Sequence, residues 1–149
     1  MAFASDDDGP IALDWLPDWE ARFGPAVSRL SFEVGPGHGG FAVAFAKRHP
    51  DRALVVIEQR SAFAKEIAEK AERQKLPNLL SLHGDARLMA PRLFAAGSLA
   101  SAHVHFPDPW WKRKHHRRRI VDDGMSRLLL SLLAPGAPLD FRTDVERYA

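Results

Sequence analysis

The segment from His105 to Ile120 places one carboxylate, Asp108, beside two tryptophan rings and a run of positive charges. The rings belong to Trp110 and Trp111, and the six basic side chains are Lys112, Arg113, Lys114, Arg117, Arg118 and Arg119. A buried core does not hold this combination, because charges removed from water need partners. Cations can bind phosphates and indole faces can stack an unpaired base. The segment therefore predicts a polyanion-docking surface with a chemically active carboxylate at its base.

The basic charge is confined to this segment. Its six cations belong to a total of 21 Lys and Arg, so the rest of the chain carries 15 positive charges against 19 negative ones. A local excess favours a docking patch over a generally basic surface. The alternative interpretation is a proline-rich turn followed by a solvated charge run. The interleaving of aromatic and basic residues at a strand end favours the docking patch.

Asp108 has a predictable place relative to the strands. Pro107 and Pro109 flank it and restrict two φ angles, and the preceding residues, Ala102–Phe106, have the pattern of a strand. In open α/β sheets the ligand lies across the carboxyl ends of the strands. We therefore expect Asp108 to face the reactive end of a bound ligand.

A glycine-rich loop follows the first predicted strand. Glycines 35, 37, 39 and 40 fit both G-x-G-x-x-G and G-x-G-x-G, so spacing alone does not separate a nicotinamide cofactor from S-adenosylmethionine. Such a loop lets a ligand approach bare backbone at a helix N-terminus. The next strand ends in Glu58, where an acid that binds ribose hydroxyls is expected. The alternatives are a plain tight turn and a solvated glutamate.

Asp85 follows the third predicted strand and has two interpretations. It can face the adenine side of a nucleotide, or it can cap the helix that begins near Arg87. Spacing does not choose between them.

The elements that must position these residues alternate in type. The pattern predicts an α/β fold with a mainly parallel sheet flanked by helices. Strands are expected at Leu30–Val34, Leu54–Glu58, Leu79–His83, Ala102–Phe106 and Leu139–Arg142, with helices at Gly39–Arg48 and Ser61–Gln74 and a later helix that carries Leu128, Leu129, Leu132 and Leu133.

Length and composition limit the class of protein. A chain of 149 residues with 46% hydrophobic content fits one domain with a proper core, which we place at residues 29–149 after a lead-in of residues 1–28. There is no cysteine, no apolar run long enough for a membrane span, and Asp6–Asp8 stands near the N-terminus. We expect a cytoplasmic protein without disulfides.

Histidines raise the question of a metal. His103 and His105 alternate on one face of the fourth strand, and His115 and His116 lie in the basic run. The sequence offers no complete ligand set around them, so we expect no metal site.

Taken together, the motifs resemble the bacterial tRNA (guanine-N7)-methyltransferase family of class I S-adenosylmethionine-dependent enzymes. The resemblance runs from about Trp19 to the last residue. It is carried by Trp19-x-x-x-Phe23, Glu33-Val-Gly-Pro-Gly-His-Gly39, Val56-Ile-Glu58, Gly84-Asp85-Ala86, Phe106-Pro-Asp-Pro-Trp-Trp-Lys112 with His116-x-Arg118-Arg119, and Phe141-Arg-Thr-Asp-Val-Glu-Arg-Tyr-Ala149. The last two blocks are far more specific than the glycine loop.

The resemblance implies a Rossmann-like fold, S-adenosylmethionine as cofactor and tRNA as partner, with methyl transfer to a guanine N7 in the variable loop. It places Asp108 as catalytic residue and Lys112 and Asp144 on substrate-contacting positions. The cofactor-binding positions are Glu33, Gly35, Gly37, Gly39, Glu58, Asp85 and Asp108.

Departures from the family pattern keep other interpretations open. Relatives continue past the fifth strand and carry a Thr-x-Phe-Glu motif, so we expect the C-terminal strands to be missing here. A second copy or a partner chain could complete that side. The main alternative is an impaired RNA-binding homologue or partner subunit that keeps the cofactor fold. A methyltransferase with another substrate and a nicotinamide-dependent dehydrogenase are weaker alternatives.

Overall fold

The computed structural model describes residues 16–108, 114 and 119–146. The strands are β1 (Leu30–Val34), β2 (Ala53–Glu58), β3 (Leu79–His83), β4 (Ser101–His105) and β5 (Leu139–Arg142). The helices are α1 (Trp19–Phe23), α2 (Gly40–Arg48), α3 (Ser61–Arg73), α4 (Ala86–Leu93) and α5 (Asp123–Leu132), and a 3-10 helix spans Gly24–Arg29.

The five strands form one parallel sheet in the order β3-β2-β1-β4-β5. The chain moves outward from β1 to β3 and then crosses back to β4 on the other side of β1. This reversal creates a crevice between the carboxyl ends of β1 and β4, which is where open α/β sheets bind ligands. The predicted α/β fold with a parallel sheet is confirmed.

Helices cover both faces of the sheet, which explains why its central strands read as apolar runs. Every residue of β1 and β2 is buried. Phe32 and Val34 point into a core shared with α4 and α5, whereas Leu54 and Val56 pack against α2 and α3. Glu33 is buried on the α2 side of β1, because side chains alternate along a strand.

Trp19 ties the lead-in to this core. Its ring is 9% exposed and stacks on Phe94 with 5.8 Å between ring centroids. Its indole Nε1 donates a hydrogen bond of 2.8 Å to the carbonyl of Leu93, at the end of α4. The part of the lead-in that carries α1 therefore belongs to the folded core, and residues 1–15 lie outside the described part of the chain.

The side chain of Asn78 forms hydrogen bonds with the backbone of the turn between α2 and β2. Its amide Nδ2 lies 3.0 Å from each of three carbonyl oxygens, those of Ala46, His49 and Arg52, which share its two N–H donors. A buried carbonyl without a donor destabilises a fold by about 1–3 kcal/mol. One asparagine thus provides hydrogen bonds to the carbonyls of the turn that leads into β2.

The predicted elements match the observed ones closely, with one informative correction. β4 was expected at Ala102–Phe106 but covers Ser101–His105. Phe106 ends the strand because its φ is +48°, while its N–H donates to the carbonyl of Arg142 at 2.7 Å. The same turn brings Asp108 over the end of the sheet. Within the described ranges, no helix is long and apolar enough to cross a bilayer.

Candidate active site

A cleft of about 750 Å³ lies over the carboxyl ends of the central strands, within the usual size range of small-ligand sites. The turns after β1, β2, β3 and β4 all contribute to it. Its walls include Val34, Gly35, Gly37, Glu58, Arg60, Asp85, Arg87, Phe106, Asp108 and Ile120. Five of the predicted site residues that were dispersed in the sequence therefore share one cavity: Gly35, Gly37, Glu58, Asp85 and Asp108.

Glu58 connects the glycine loop to the end of β2. Its Oε2 accepts a hydrogen bond of 2.9 Å from the N–H of Gly37, and its Oε1 accepts one of 2.9 Å from the N–H of Arg60. Gly37 has a left-handed φ of +60°, which turns its N–H toward the carboxylate. Each carboxylate oxygen can accept a second hydrogen bond. Glu58 can therefore order the loop and still accept from hydroxyls of a ligand.

Gly39 serves helix packing and lies outside the cleft wall described above. It caps α2 with a left-handed φ of +84°. A Cβ atom on Gly39 would lie 2.5 Å from Cγ1 of Ile67 in α3. The third glycine of the loop is thus needed for the close contact between the loop and α3.

Asp85 satisfies both interpretations of its position. Its Oδ1 caps α4 by accepting from the N–H of Arg87 at 2.8 Å. The residue is also exposed in the cleft wall. Because the cap uses one carboxylate oxygen, the other can take part in ligand binding.

Asp108 lies on the opposite wall from Glu58 and forms an ion pair across the cleft. Its Oδ2 is 3.4 Å from Nη2 of Arg60, and the two side chains are 65% and 61% exposed. A pair this exposed is weak and easily exchanged for a ligand. Sequence reasoning did not identify Arg60, although its position two residues after Glu58 places it at the same strand end.

Glu33 lies behind the cleft wall. Its side chain is 2% exposed, and its Oε2 lacks a hydrogen-bond partner among the described residues. Burial, with the charges of Glu58 and Asp140 as further causes, raises the pKa of Glu33 to about 8. Glu33 lies two residues before Gly35, and a cation bound beside the loop would favour the ionised form of this buried carboxyl.

Arg87 is a second residue that sequence reasoning missed. Its guanidinium binds both carboxylate oxygens of Asp122 at 2.9 Å and donates to the carbonyls of Arg119 and Ile120 at 3.0 and 2.9 Å. Such bidentate pairs are geometrically specific. Arg87 therefore fastens the C-terminal end of the basic segment to the cleft, while Asp108 stands at its N-terminal end.

The described part of the basic segment is small. Lys114 is exposed and Arg119 is half-buried. The other predicted docking residues, Trp110, Trp111, Lys112, Arg113, Arg117 and Arg118, lie outside the described residues. Asp144 follows β5 and is exposed, and among the described residues it is not part of the cleft wall.

The geometry matches solved methyltransferases. The chain aligns with the crystal structure of the aminoglycoside resistance methyltransferase NpmB1 at a TM-score of 0.69, with 22% identity, covering 90% of this chain and 65% of that one. A SAM-dependent methyltransferase from Aquifex aeolicus aligns at a TM-score of 0.60 with 15% identity, covering 81% of this chain and 59% of that one. At such low identity the likeness defines the fold, which is that of Rossmann-like methyltransferases.

Sequence relatives define the family. Residues 28–149 match the family described as "Putative methyltransferase". A tRNA (guanine-N(7)-)-methyltransferase of Anaeromyxobacter dehalogenans is 70% identical over the whole chain, which spans 74% of that protein. One of Myxococcus xanthus is 43% identical over 92% of this chain and 68% of its own length, and one of Nitrosomonas eutropha is 34% identical over 95% and 60%. This chain belongs to the tRNA (guanine-N7)-methyltransferase family, which confirms the resemblance found in its sequence.

Proposed function

We propose that the protein transfers a methyl group from S-adenosylmethionine to N7 of a guanine in the variable loop of tRNA. The observation that carries the proposal is the convergence of Gly37, Glu58, Asp85 and Asp108 on one cleft at the sheet's reversal point, in a chain of this family.

The residues present fit the cofactor. S-adenosylmethionine, when bound, supplies an electrophilic methyl group on a sulfonium. Gly35 and Gly37 offer bare backbone, because a Cβ atom at either position would meet only open space. Glu58 retains acceptor capacity for ribose hydroxyls and Asp85 for the adenine side. The unpartnered Oε2 of Glu33 is an acceptor for the ammonium group of the cofactor's methionine moiety.

Asp108 positions the guanine. N7 carries a lone pair and no proton, so attack on a methyl group needs alignment and no general base. The product base becomes cationic. A fixed carboxylate can accept from the N–H edge of the guanine and oppose the positive charge that develops. We expect Arg60 to release Asp108 when the base enters, because their ion pair is exposed and long.

The basic segment binds the tRNA beside the cleft. Lys114 is exposed, and Arg87 holds the end of the segment at the cleft wall. We assign phosphate binding to Lys112, Arg113, Arg117, Arg118 and Arg119 together with Lys114, stacking of the target base to Trp110 or Trp111, and a substrate contact to Asp144. Enzymes that modify a base take it out of its stack, which an aromatic platform favours.

The decisive experiment measures transfer of labelled methyl from S-adenosylmethionine to unmodified tRNA. Asp108→Ala should lower transfer by at least about 100-fold, a magnitude typical of a lost electrostatic contact in the transition state, with cofactor affinity nearly unchanged. Circular dichroism establishes that both proteins fold. A folded parent protein that binds S-adenosylhomocysteine and transfers nothing would favour the impaired RNA-binding homologue. Equal transfer by both proteins would remove the catalytic role of Asp108.

The docking assignment has its own test. Replacing Lys112, Arg113 and Lys114 by glutamine should weaken tRNA binding and reduce its salt dependence, because fewer counterions are released. The control replaces Lys65, Lys70 and Lys75, three cations on or next to α3, by glutamine. An unchanged salt slope in the first variant would move the docking surface elsewhere.

The proposal extends to location and assembly. A tRNA substrate favours a cytoplasmic location, which microscopy of the tagged chain tests.

A second copy or partner chain on the β5 side would appear as a larger mass in analytical ultracentrifugation, whereas a single monomeric species would contradict self-association.

A further inference from the structure

Three potential metal ligands lie on one face of the sheet, behind the cleft. His103 and His105 are two residues apart on β4, so their side chains point to the same side. Asp140 on β5 is the direct partner of His103 in the strand register. The third ligand that the sequence could not offer is therefore supplied by strand pairing.

The ligand atoms already converge on one point. His105 Nε2 lies 2.7 Å and His103 Nδ1 lies 3.3 Å from Oδ2 of Asp140, and the three ligand atoms lie within 4.8 Å of one another. Around tetrahedral zinc, with bonds of about 2.0–2.1 Å, adjacent ligand atoms are about 3.3 Å apart. Of the three pairwise distances, that between His103 and Asp140 already has this value, and that between His105 and Asp140 needs to lengthen by about 0.6 Å. The two imidazole nitrogens lie within 4.8 Å of each other.

Two of the three ligands, His103 and Asp140, are also oriented from behind by hydrogen bonds, as ligands of metal sites are. Nε2 of His103 is 2.9 Å from the hydroxyl of Ser101. Nδ1 of His105 faces Oε1 of Glu33 at 3.9 Å. The other oxygen of Asp140, Oδ1, accepts from Nε of Arg142 at 3.1 Å. These contacts leave one atom of each residue directed at the shared centre.

The surroundings shield the two imidazoles from water, and His103 is buried. The ring of Phe41 covers both histidines at centroid distances of 4.9 and 4.3 Å.

We propose that His103, His105 and Asp140 bind a divalent transition-metal ion of the zinc type, with the fourth position open to water. Two imidazoles and one carboxylate suit zinc and its neighbours better than magnesium or calcium. The ion would join β4 to β5, a strand of four residues that is only half-buried. It would also place a positive charge next to Glu33. Zinc binding requires neither cofactor nor tRNA, so its test is independent of the methyltransfer proposal.

The test uses the full chain without an affinity tag, treated with a chelator and then titrated with Zn²⁺ alone. We expect saturable binding of one ion per chain and a rise in Tm of roughly 5–10 °C when Zn²⁺ exceeds Kd by 100-fold. Zinc X-ray absorption of the parent protein should give two imidazoles and oxygen ligands, and this measurement needs no variant. A shell with fewer than two imidazoles would overturn the proposal.

Variants locate the site. Asp140→Asn and His103→Gln should each weaken Zn²⁺ binding at least 10-fold, since each removes a direct ligand. His83→Gln, at an exposed histidine on β3, and the double variant His115→Gln/His116→Gln should bind as the parent does. Absence of saturable binding in the parent, undiminished binding in Asp140→Asn, or loss of binding in the His115/His116 variant would each contradict the assignment.

Discussion

Replacing Gly39 by alanine should destabilise the protein by roughly 2–5 kcal/mol. Two effects contribute. A left-handed backbone costs a residue with a Cβ atom about 1–2 kcal/mol, and Gly39 has a φ of +84°. The new methyl would lie 2.5 Å from Cγ1 of Ile67, which is fully buried, so either α3 or the loop must move. Overpacking of this kind costs about 1–3 kcal/mol.

The adjacent glycine supplies the matched control. Gly40 is the first residue of α2, and a Cβ atom there meets nothing within 4 Å. Gly40→Ala should therefore be neutral or stabilising by up to about 0.5 kcal/mol, because alanine loses less backbone entropy. The two substitutions add the same methyl group one residue apart, so they isolate the effect of conformation and packing.

A double-mutant cycle separates the two causes. Ile67→Ala alone should cost about 2–5 kcal/mol as a large-to-small core change. In that background Gly39→Ala should no longer clash with Ile67, so only the cost of the left-handed backbone remains. The missing packing cost is the coupling energy, about 1–3 kcal/mol.

Urea denaturation followed by circular dichroism gives the free energies of unfolding, and calorimetry with S-adenosylhomocysteine shows whether the shifted loop also loses cofactor affinity. Equal stability of Gly39→Ala and Gly40→Ala would refute the reasoning, and so would a coupling energy of zero.

Three further predictions concern residues that hold the site in place. Arg87→Met should lower the free energy of unfolding by about 1–3 kcal/mol and weaken tRNA binding, since it removes charged hydrogen bonds to the end of the basic segment; equal effects from Arg92→Met, an exposed arginine on the same helix, would contradict this. Asn78→Ala should cost about 2–4 kcal/mol in urea denaturation because three carbonyls lose their donor, and a loss below about 1 kcal/mol would show that water replaces the amide. Glu33→Gln should flatten the pH dependence of the free energy of unfolding, measured in the presence of a chelator. The pKa of Glu33 is about 8 in the folded protein, above its ordinary value of 4.5. The parent therefore loses stability as the pH rises between these two values, by up to about 1.4 kcal/mol per pH unit. Parallel curves for the two proteins would refute the raised pKa.

Local patterns were sufficient to predict the five strands and the helices between them in their order, whereas α1 and the 3-10 helix at Gly24–Arg29 were not predicted. Strand bounds at β1, β3 and β5 agree with the prediction, because apolar runs bounded by turn residues are local signals. The motifs also identified the family, because the block around Asp108 is specific in residue type and spacing. The end of β4 was misplaced by one residue. The strand ends because Phe106 has a left-handed φ. Phenylalanine favours strands and rarely adopts this conformation, so the residue type does not predict the turn.

The sequence by itself determined which residues could do chemistry, the strand ends on which they stand and the concentration of positive charge in one segment. The tertiary structure decided how these residues divide their tasks. Glu58 orders the glycine loop, Gly39 accommodates Ile67, and Arg87 anchors the basic segment. Only strand pairing brings Asp140 to His103 and His105. Such contacts join residues 20 to 40 positions apart in the chain, and the period of a helix or strand carries no information about which residues meet at that separation.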